Sequence, residues 1–271
     1  MKKILGSTPY YQFDIFSDHT EILKHGLSTR HGGVSDTPFA SLNMGFQYEE
    51  DPAENVVENY GRFCEAVSVP VDNLVVPVQN HTDVVVAIRE VEAFGLGRAF
   101  EQVDGFITDV VGLPISVRFA DCQGLLFFDP VKRVVAAVHS GWRGNTKNII
   151  GKCVRKMVAE FDSNAANILV GIGPSLGPCC AEFSNPREEL PAEMHRYIET
   201  SDDDGAGGHV NLWQCAVDQL LAEGVLANHI ELAEVCTSCN TDEFFSYRGD
   251  HRQSGARKPM TGRMAGVIML K

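Results

Sequence analysis

The segment Gly124–Phe161, GLLFFDPVKRVVAAVHSGWRGNTKNIIGKCVRKMVAEF, reads in order as strand, turn, strand, glycine turn and helix. GLLFFD and RVVAAVH are short apolar runs bounded by turn residues, the pattern of buried strands. In the helical stretch, Ile150, Cys153, Val154, Met157, Val158 and Phe161 recur at spacings of three and four and share one face. Asn145 or Thr146 is the expected N-cap of that helix. Further strands are expected at NLVVPVQ (73–79), DVVVAI (83–88), PISVRFA (114–120), NILVGIG (167–173) and RMAGVIML (263–270). Two more helices are expected at PAENVVENYGRFCEAV (52–67) and VNLWQCAVDQLLAEG (210–224). Hairpin-like strand pairs mixed with helices point to an α/β (mixed α+β) domain with mixed sheets flanked by helices. One such domain over residues 1–271 is the expected organisation, with 199–211 (ETSDDDGAGGHVN) as a surface excursion.

The chain has 271 residues, 44% of them hydrophobic, enough for one large core. Its net charge of -13 argues against general nucleic-acid binding but leaves room for a local basic pocket. No apolar segment approaches the roughly 18 residues needed to span a bilayer. The opening MKKILGSTPYYQFD has no apolar stretch behind its lysines and is not expected to be a signal peptide. Eight cysteines in such a chain suit thiols or metal ligands in a reducing, cytoplasmic setting.

Polar residues punctuate the strands. His81 falls between NLVVPVQ and DVVVAI, Cys122 between PISVRFA and GLLFFD, and His139 ends RVVAAVH. Strand ends gather at the rims of sheets, so these three can meet. Two imidazoles and a thiolate suit Zn²⁺, and three protein ligands leave a fourth position for water, as in catalytic zinc sites. The same residues also permit a metal-free reading, with Cys122 as nucleophile and His139 as its base. Beyond His139, the SGWRGNT turn opens a helix. Its free N–H groups, Arg143 and the glycines Gly141 and Gly144 form a candidate anion site. Arg30, Arg248 and Arg263 occupy similar glycine-rich turns. Cys179, Cys180, Cys236 and Cys239, a CxxC with an adjacent pair, could form a structural zinc site.

Taken in order, TRHGGVS, SLNMG, QNHTDVV, DGFITD, ADCQGLLFFD, HSGWRGN, GIGPSLGPCCAEF, CTSCNTDEFFSYRGD and TGRMAGV resemble the YfiH-type laccase-domain proteins, regarded as purine nucleoside phosphorylases. The resemblance runs from Thr29 to Val267. It implies a mixed α/β fold similar to the deamidase domain of cytotoxic necrotizing factor, with zinc held by His81, Cys122 and His139 and with Arg30 nearby. It also implies phosphorolysis of adenosine, inosine and methylthioadenosine, with purine nucleoside and phosphate as partners, plus adenosine deamination. The chain departs from the family pattern at Ala181, often a tyrosine there, and over 251–260, which is longer.

For deamination a carboxylic acid must shuttle a proton, and Asp83, Asp104 and Asp121 are the candidates. Asp104 and Asp121 could instead orient a ligand histidine. The family's older label raises copper-dependent phenol oxidation, and His₂Cys does suit one type of copper site. The nine histidines include no His-x-His, however, which leaves a multi-copper cluster unsupported. A metal-free thiol hydrolase and a non-catalytic purine sensor are the remaining readings.

Overall fold

In the computed structural model of the chain, residues 1–47, 50–90, 96, 100–200, 207–255 and 260–271 are described. In chain order the elements begin with β1 (Lys2–Ile4), β2 (Tyr10–Gln12), β3 (Leu23–Ser28), α1 (Ala53–Val67), β4 (Val85–Ile88) and β5 (Gly105–Thr108). They continue with β6 (Ile115–Phe119), β7 (Gln123–Asp129), β8 (Val134–Ser140), α2 (Trp142–Thr146), α3 (Ile149–Phe161) and β9 (Leu169–Ile172). The rest are β10 (Glu182–Phe183), α4 (Pro186–Glu189), β11 (Ile198–Thr200), β12 (Gly208–Val210), α5 (Leu212–Ala222), β13 (Ile230–Leu232), α6 (Tyr247–Ser254) and β14 (Met264–Leu270).

Among the described residues these strands form a five-stranded sheet (β1-β2-β3-β14-β6), a six-stranded sheet (β13-β9-β7-β8-β5-β4) and a small sheet (β10-β12-β11). The six-stranded sheet is mixed: β4–β5 and β9–β13 are parallel and its other pairs antiparallel. Side chains alternate along a strand, and the core shows it. Leu126 and Phe128 of β7 and Ile268 and Leu270 of β14 meet in one cluster between the two large sheets. Leu125 and Phe127 of β7 face outward onto α3 and α5. Ala265, Val267 and Met269 of β14 face the other way, onto α1. The result is a helix–sheet–sheet–helix stack in which the central strands are buried on both faces. That is why GLLFFD and RVVAAVH are apolar throughout and not alternating.

Three local expectations need correction. NLVVPVQ is not a strand; it makes isolated bridges at Val75 and Val78, because Pro77 offers no N–H to a ladder. The glycine turn is itself a short helix, α2, and the amphipathic helix that follows it starts later than expected, at Ile149. Asn145 and Thr146 lie inside α2, and the cap of α3 is Asn148, in the left-handed region at φ 54 with its side chain accepting the Gly151 N–H at 3.0 Å. Val158 is 41% exposed and lies off the buried face of α3. In the 199–211 stretch, β11 and β12 pair as an antiparallel hairpin, and residues 201–206 lie outside the described residues.

Register positions the site. Gly124 of β7 pairs with His139 of β8, so Cys122, just ahead of β7, and the end of β8 share one rim. Gly105 pairs with Val138 on the other side of β8, which brings Asp104 to the same rim. Val85 pairs in parallel with Gly105, which adds the loop carrying His81.

Candidate functional site

Asp104 organises this rim. It is fully buried, and its Oδ1 lies 2.8 Å from Nδ1 of His139. The same carboxylate accepts the main-chain N–H groups of Asn80, His81 and Thr82 at 3.3, 3.1 and 2.6 Å, and the Thr82 hydroxyl at 2.7 Å. These bonds hold His81 in the left-handed region at φ 55. Burial alone would raise the Asp104 pKa, but the bond and charge of His139, with the Thr82 donors, outweigh it and hold the carboxyl at about 2. One carboxylate therefore orients the His139 ring through Nδ1 and fixes the main chain of the loop that carries His81.

Cys122 Sγ lies 3.7 Å from Nε2 of His81, and the two imidazole rings meet edge to face at 5.0 Å. One donor atom from each of His81, Cys122 and His139 falls within 4.8 Å of the others. Burial opposes the Cys122 thiolate, yet the facing His139 and His81 bring the thiol down to about 6. Burial likewise opposes the His139 cation, yet the Cys122 charge and the Asp104 bond raise it to about 9. The trio is thus a polarised sulfur–nitrogen cluster. Gly141 packs against it, and a Cβ there would sit 2.8 Å from Cys122 Sγ.

The cluster lies at the wall of a cavity of about 1040 Å³ lined by Arg118, Arg143, Arg248 and Arg263 and by aromatic residues including Trp142 and Phe183. Arg143 stacks over Trp142 at 4.3 Å. Arg118 donates to the Pro77 carbonyl, Arg248 to that of Glu182, and Arg263 to those of Thr261 and Gly262. These bonds hold cationic side chains along the cavity. Sequence reading missed Arg118; its signal was a charge inside the apolar strand PISVRFA.

Asp121 lines the cavity too, but its oxygens accept from the Thr237 and Ser246 hydroxyls and from the Arg248 N–H, each at 2.6 Å. Burial pushes its pKa up against those donors. Asp104, not Asp121, contacts a histidine of the trio. Other sequence candidates fall elsewhere. Asp83 pairs with Lys152 at the surface. Arg30 donates to the carbonyls of Ala40 and Thr241 over the Phe245 ring and is not among the lining residues. Gly144 is also absent from the lining; it packs α2 against Ser140.

Fold and site together define the YfiH class of mixed α/β proteins. A solved structure of YlmD from Geobacillus stearothermophilus superposes with TM-score 0.85 at 31% identity, covering 100% of this chain and 98% of that one. YfiH of Bacillus licheniformis superposes with TM-score 0.84 at 27% identity, covering 98% and 97%. The chain belongs to the family described as multi-copper polyphenol oxidoreductase laccase, whose model matches residues 24–271. Among curated relatives, the purine nucleoside phosphorylase YlmD of Geobacillus stearothermophilus is 35% identical over 248 residues, 88% of this chain and 89% of that protein. A purine nucleoside phosphorylase of Bacteroides thetaiotaomicron is 31% identical over 257 residues, 91% of each.

Proposed function

We infer that the chain is an enzyme that cleaves purine nucleosides with phosphate, releasing the base and ribose 1-phosphate. The observation that carries this reading is the His81–Cys122–His139 cluster set in a cavity with four arginines and several aromatic side chains. The relatives named purine nucleoside phosphorylase support it.

In phosphorolysis a phosphate oxygen bonds to the sugar's anomeric carbon as the carbon–nitrogen bond to the base breaks. The bonding pair leaves with the purine, which then takes a proton. Arg143, Arg248 and Arg263, with Arg118, supply positive charge to hold and orient phosphate. Trp142 and Phe183, 6.1 Å apart edge to face, offer apolar faces for the base or sugar. Asp121 holds Thr237, Ser246 and Arg248 together beside Cys122. Arg30 acts through its hold on the segments around Ala40 and Thr241, and Gly144 through helix packing.

The donor set of the trio fits zinc, with His81, Cys122 and His139 as the residues that would hold it. Such an ion supplies Lewis-acid charge where negative charge develops. Copper is the alternative. Of the nine histidines, His81 and His139 stand in a candidate metal group among the described residues, which is too few for a multi-copper cluster. Adenosine deamination at the same site is a second activity. It is favoured by one observation: Asp121 is the carboxylate lining the cavity among the described residues, and its pKa is raised. A metal-free thiol hydrolase is the competing mechanism, favoured by the Cys122–His139–Asp104 order of nucleophile, base and orienting acid. The eight free thiols suit a reducing compartment, so a cytoplasmic setting goes with the proposal.

The test is to incubate adenosine and inosine with the purified protein, with and without phosphate, and to separate the products. Phosphate-dependent release of adenine or hypoxanthine supports phosphorolysis, and phosphate-independent inosine supports deamination. Activity that survives chelation, with a covalent adduct on Cys122, would replace this reading by the thiol hydrolase. Phenol oxidation by copper-loaded protein with no nucleoside turnover would replace it by the oxidase.

A further inference from the structure

A second sulfur cluster lies outside the nucleoside cavity. Cys179 and Cys180 follow β9, and Cys236 and Cys239 follow β13. The two strands run parallel, and their pairing continues past their ends. Ser175 bridges Cys236, the Ser175 N–H donates to the Val235 carbonyl at 3.1 Å, and the Thr237 N–H donates to the Ser175 carbonyl at 3.1 Å. The two loops therefore leave the sheet side by side, and the adjacent pair meets the CxxC.

Cys239 Sγ lies 3.7 Å from Cys179 Sγ and 3.5 Å from Cys180 Sγ, and all four sulfurs fall within 4.8 Å of one another. A tetrahedral ion with metal–sulfur bonds of about 2.3 Å places its sulfurs about 3.8 Å apart. Both Cys239 distances are close to that spacing, and the four sulfurs group as a quartet and not as one isolated pair. N–H donors also point at the sulfurs: Arg252 Nη1 donates to Cys180 Sγ at 3.1 Å and the Gly177 N–H to Cys236 Sγ at 3.3 Å. Such donors, one of them cationic, stabilise a cluster whose four thiolates exceed the charge of a divalent ion. Gly177 fits tightly here, since a Cβ would sit 2.9 Å from the Trp213 ring and 3.1 Å from Cys236 Cβ.

We propose that Cys179, Cys180, Cys236 and Cys239 form a tetrathiolate site for a divalent ion of the zinc class, closed by four protein ligands and structural in role. The site ties two loops and α6 together. It stands behind the cavity wall, because Thr237 and Arg248 both donate to Asp121 and the Leu176 N–H donates to the Asp121 carbonyl at 2.7 Å. It is independent of the reaction assigned to the cavity.

The full-length chain, purified without chelator, is analysed for bound metal beside a Cys179→Ser/Cys239→Ser variant and a His139→Ala variant. The double serine variant is expected to lose one zinc equivalent per chain relative to the unaltered protein, whatever His139→Ala does. A second measurement needs no variant. Cys179 and Cys239 are exposed, yet bound metal should shield them from iodoacetamide, so that a strong chelator speeds their alkylation at least about tenfold. Equal metal content in the serine variant and the unaltered chain overturns the proposal. So does alkylation at the same rate before and after chelation, or peptide mapping that finds disulfides within the quartet of the native protein.

Discussion

Asp104 Oδ1 lies 2.8 Å from Nδ1 of His139, and the same fully buried carboxylate holds the main chain at His81. The two histidines of the trio are thus positioned by one side chain. An Asp104→Asn substitution keeps the shape, removes the charge and turns one acceptor into a donor facing donors. It should cost about 1–3 kcal/mol of stability. Metal affinity or activity should fall about 10- to 100-fold. Unfolding curves and nucleoside turnover read the two effects. Unchanged turnover would show that Asp104 does not set the histidine geometry.

The strand-end placement of His81, Cys122 and His139 was legible because each interrupts an apolar run. That Asp104 is their common anchor was not legible, since it depends on the parallel pairing of β4 with β5 and the antiparallel pairing of β5 with β8. Asp83 has the same local look as Asp104, yet it points to Lys152 at the surface. Nothing in the one-dimensional pattern separates the two. The four cysteines were named from the sequence, but their convergence was not legible for a related reason: the loops carrying Cys180 and Cys236 meet only because β9 and β13 are parallel neighbours. The strands were readable because both faces are buried. The start of α3 at Ile149 was not, because it turns on Asn148 adopting a left-handed conformation.

His25 gives a pH dependence that involves neither sulfur cluster. It is 4% exposed, packs against Phe13 and Phe16, and its Nε2 accepts the Phe13 N–H at 2.9 Å. Burial lowers its pKa from 6.5 to about 4. The unfolded chain therefore binds a proton that the folded chain refuses between these values. The stability due to neutral His25 is complete above pH 6.5 and is lost as pH falls towards 4, by about 3 kcal/mol at about 1.4 kcal/mol per unit. Unfolding free energies of the unaltered chain and His25→Gln across this window should differ by that slope. Parallel curves would exclude His25 as the source.

Arg143 stacks on Trp142 at the cavity wall, where it can meet an anion without leaving a buried partner unpaired. If phosphate is the nucleophile, Arg143→Ala removes a charged donor worth about 1.5–3 kcal/mol, so KM for phosphate should rise about tenfold or more. KM for the nucleoside should change less. Phosphate-saturation curves at fixed inosine separate the two constants. An unchanged phosphate KM would assign that oxyanion to the other arginines.

Gly141 tests the crowding of the trio itself. Its φ of -81° is open to any residue, so the glycine is not there for backbone freedom. What it provides is space, because an added Cβ would lie 2.8 Å from Cys122 Sγ and 2.9 Å from His81 Cδ2. Gly141→Ala must therefore push two donors outward, at an overpacking cost of about 1–3 kcal/mol. A displacement near 1 Å at reacting or ligating groups is worth about 100-fold in rate, so activity should fall far more than stability. Gly61→Ala is the comparison: it lies within α1 with nothing within 4 Å of the added carbon. That substitution should stabilise the fold by about 0.5–1 kcal/mol and leave turnover unchanged. Full activity in Gly141→Ala would mean that the trio tolerates displacement, and the cavity chemistry would then have to be assigned to other side chains.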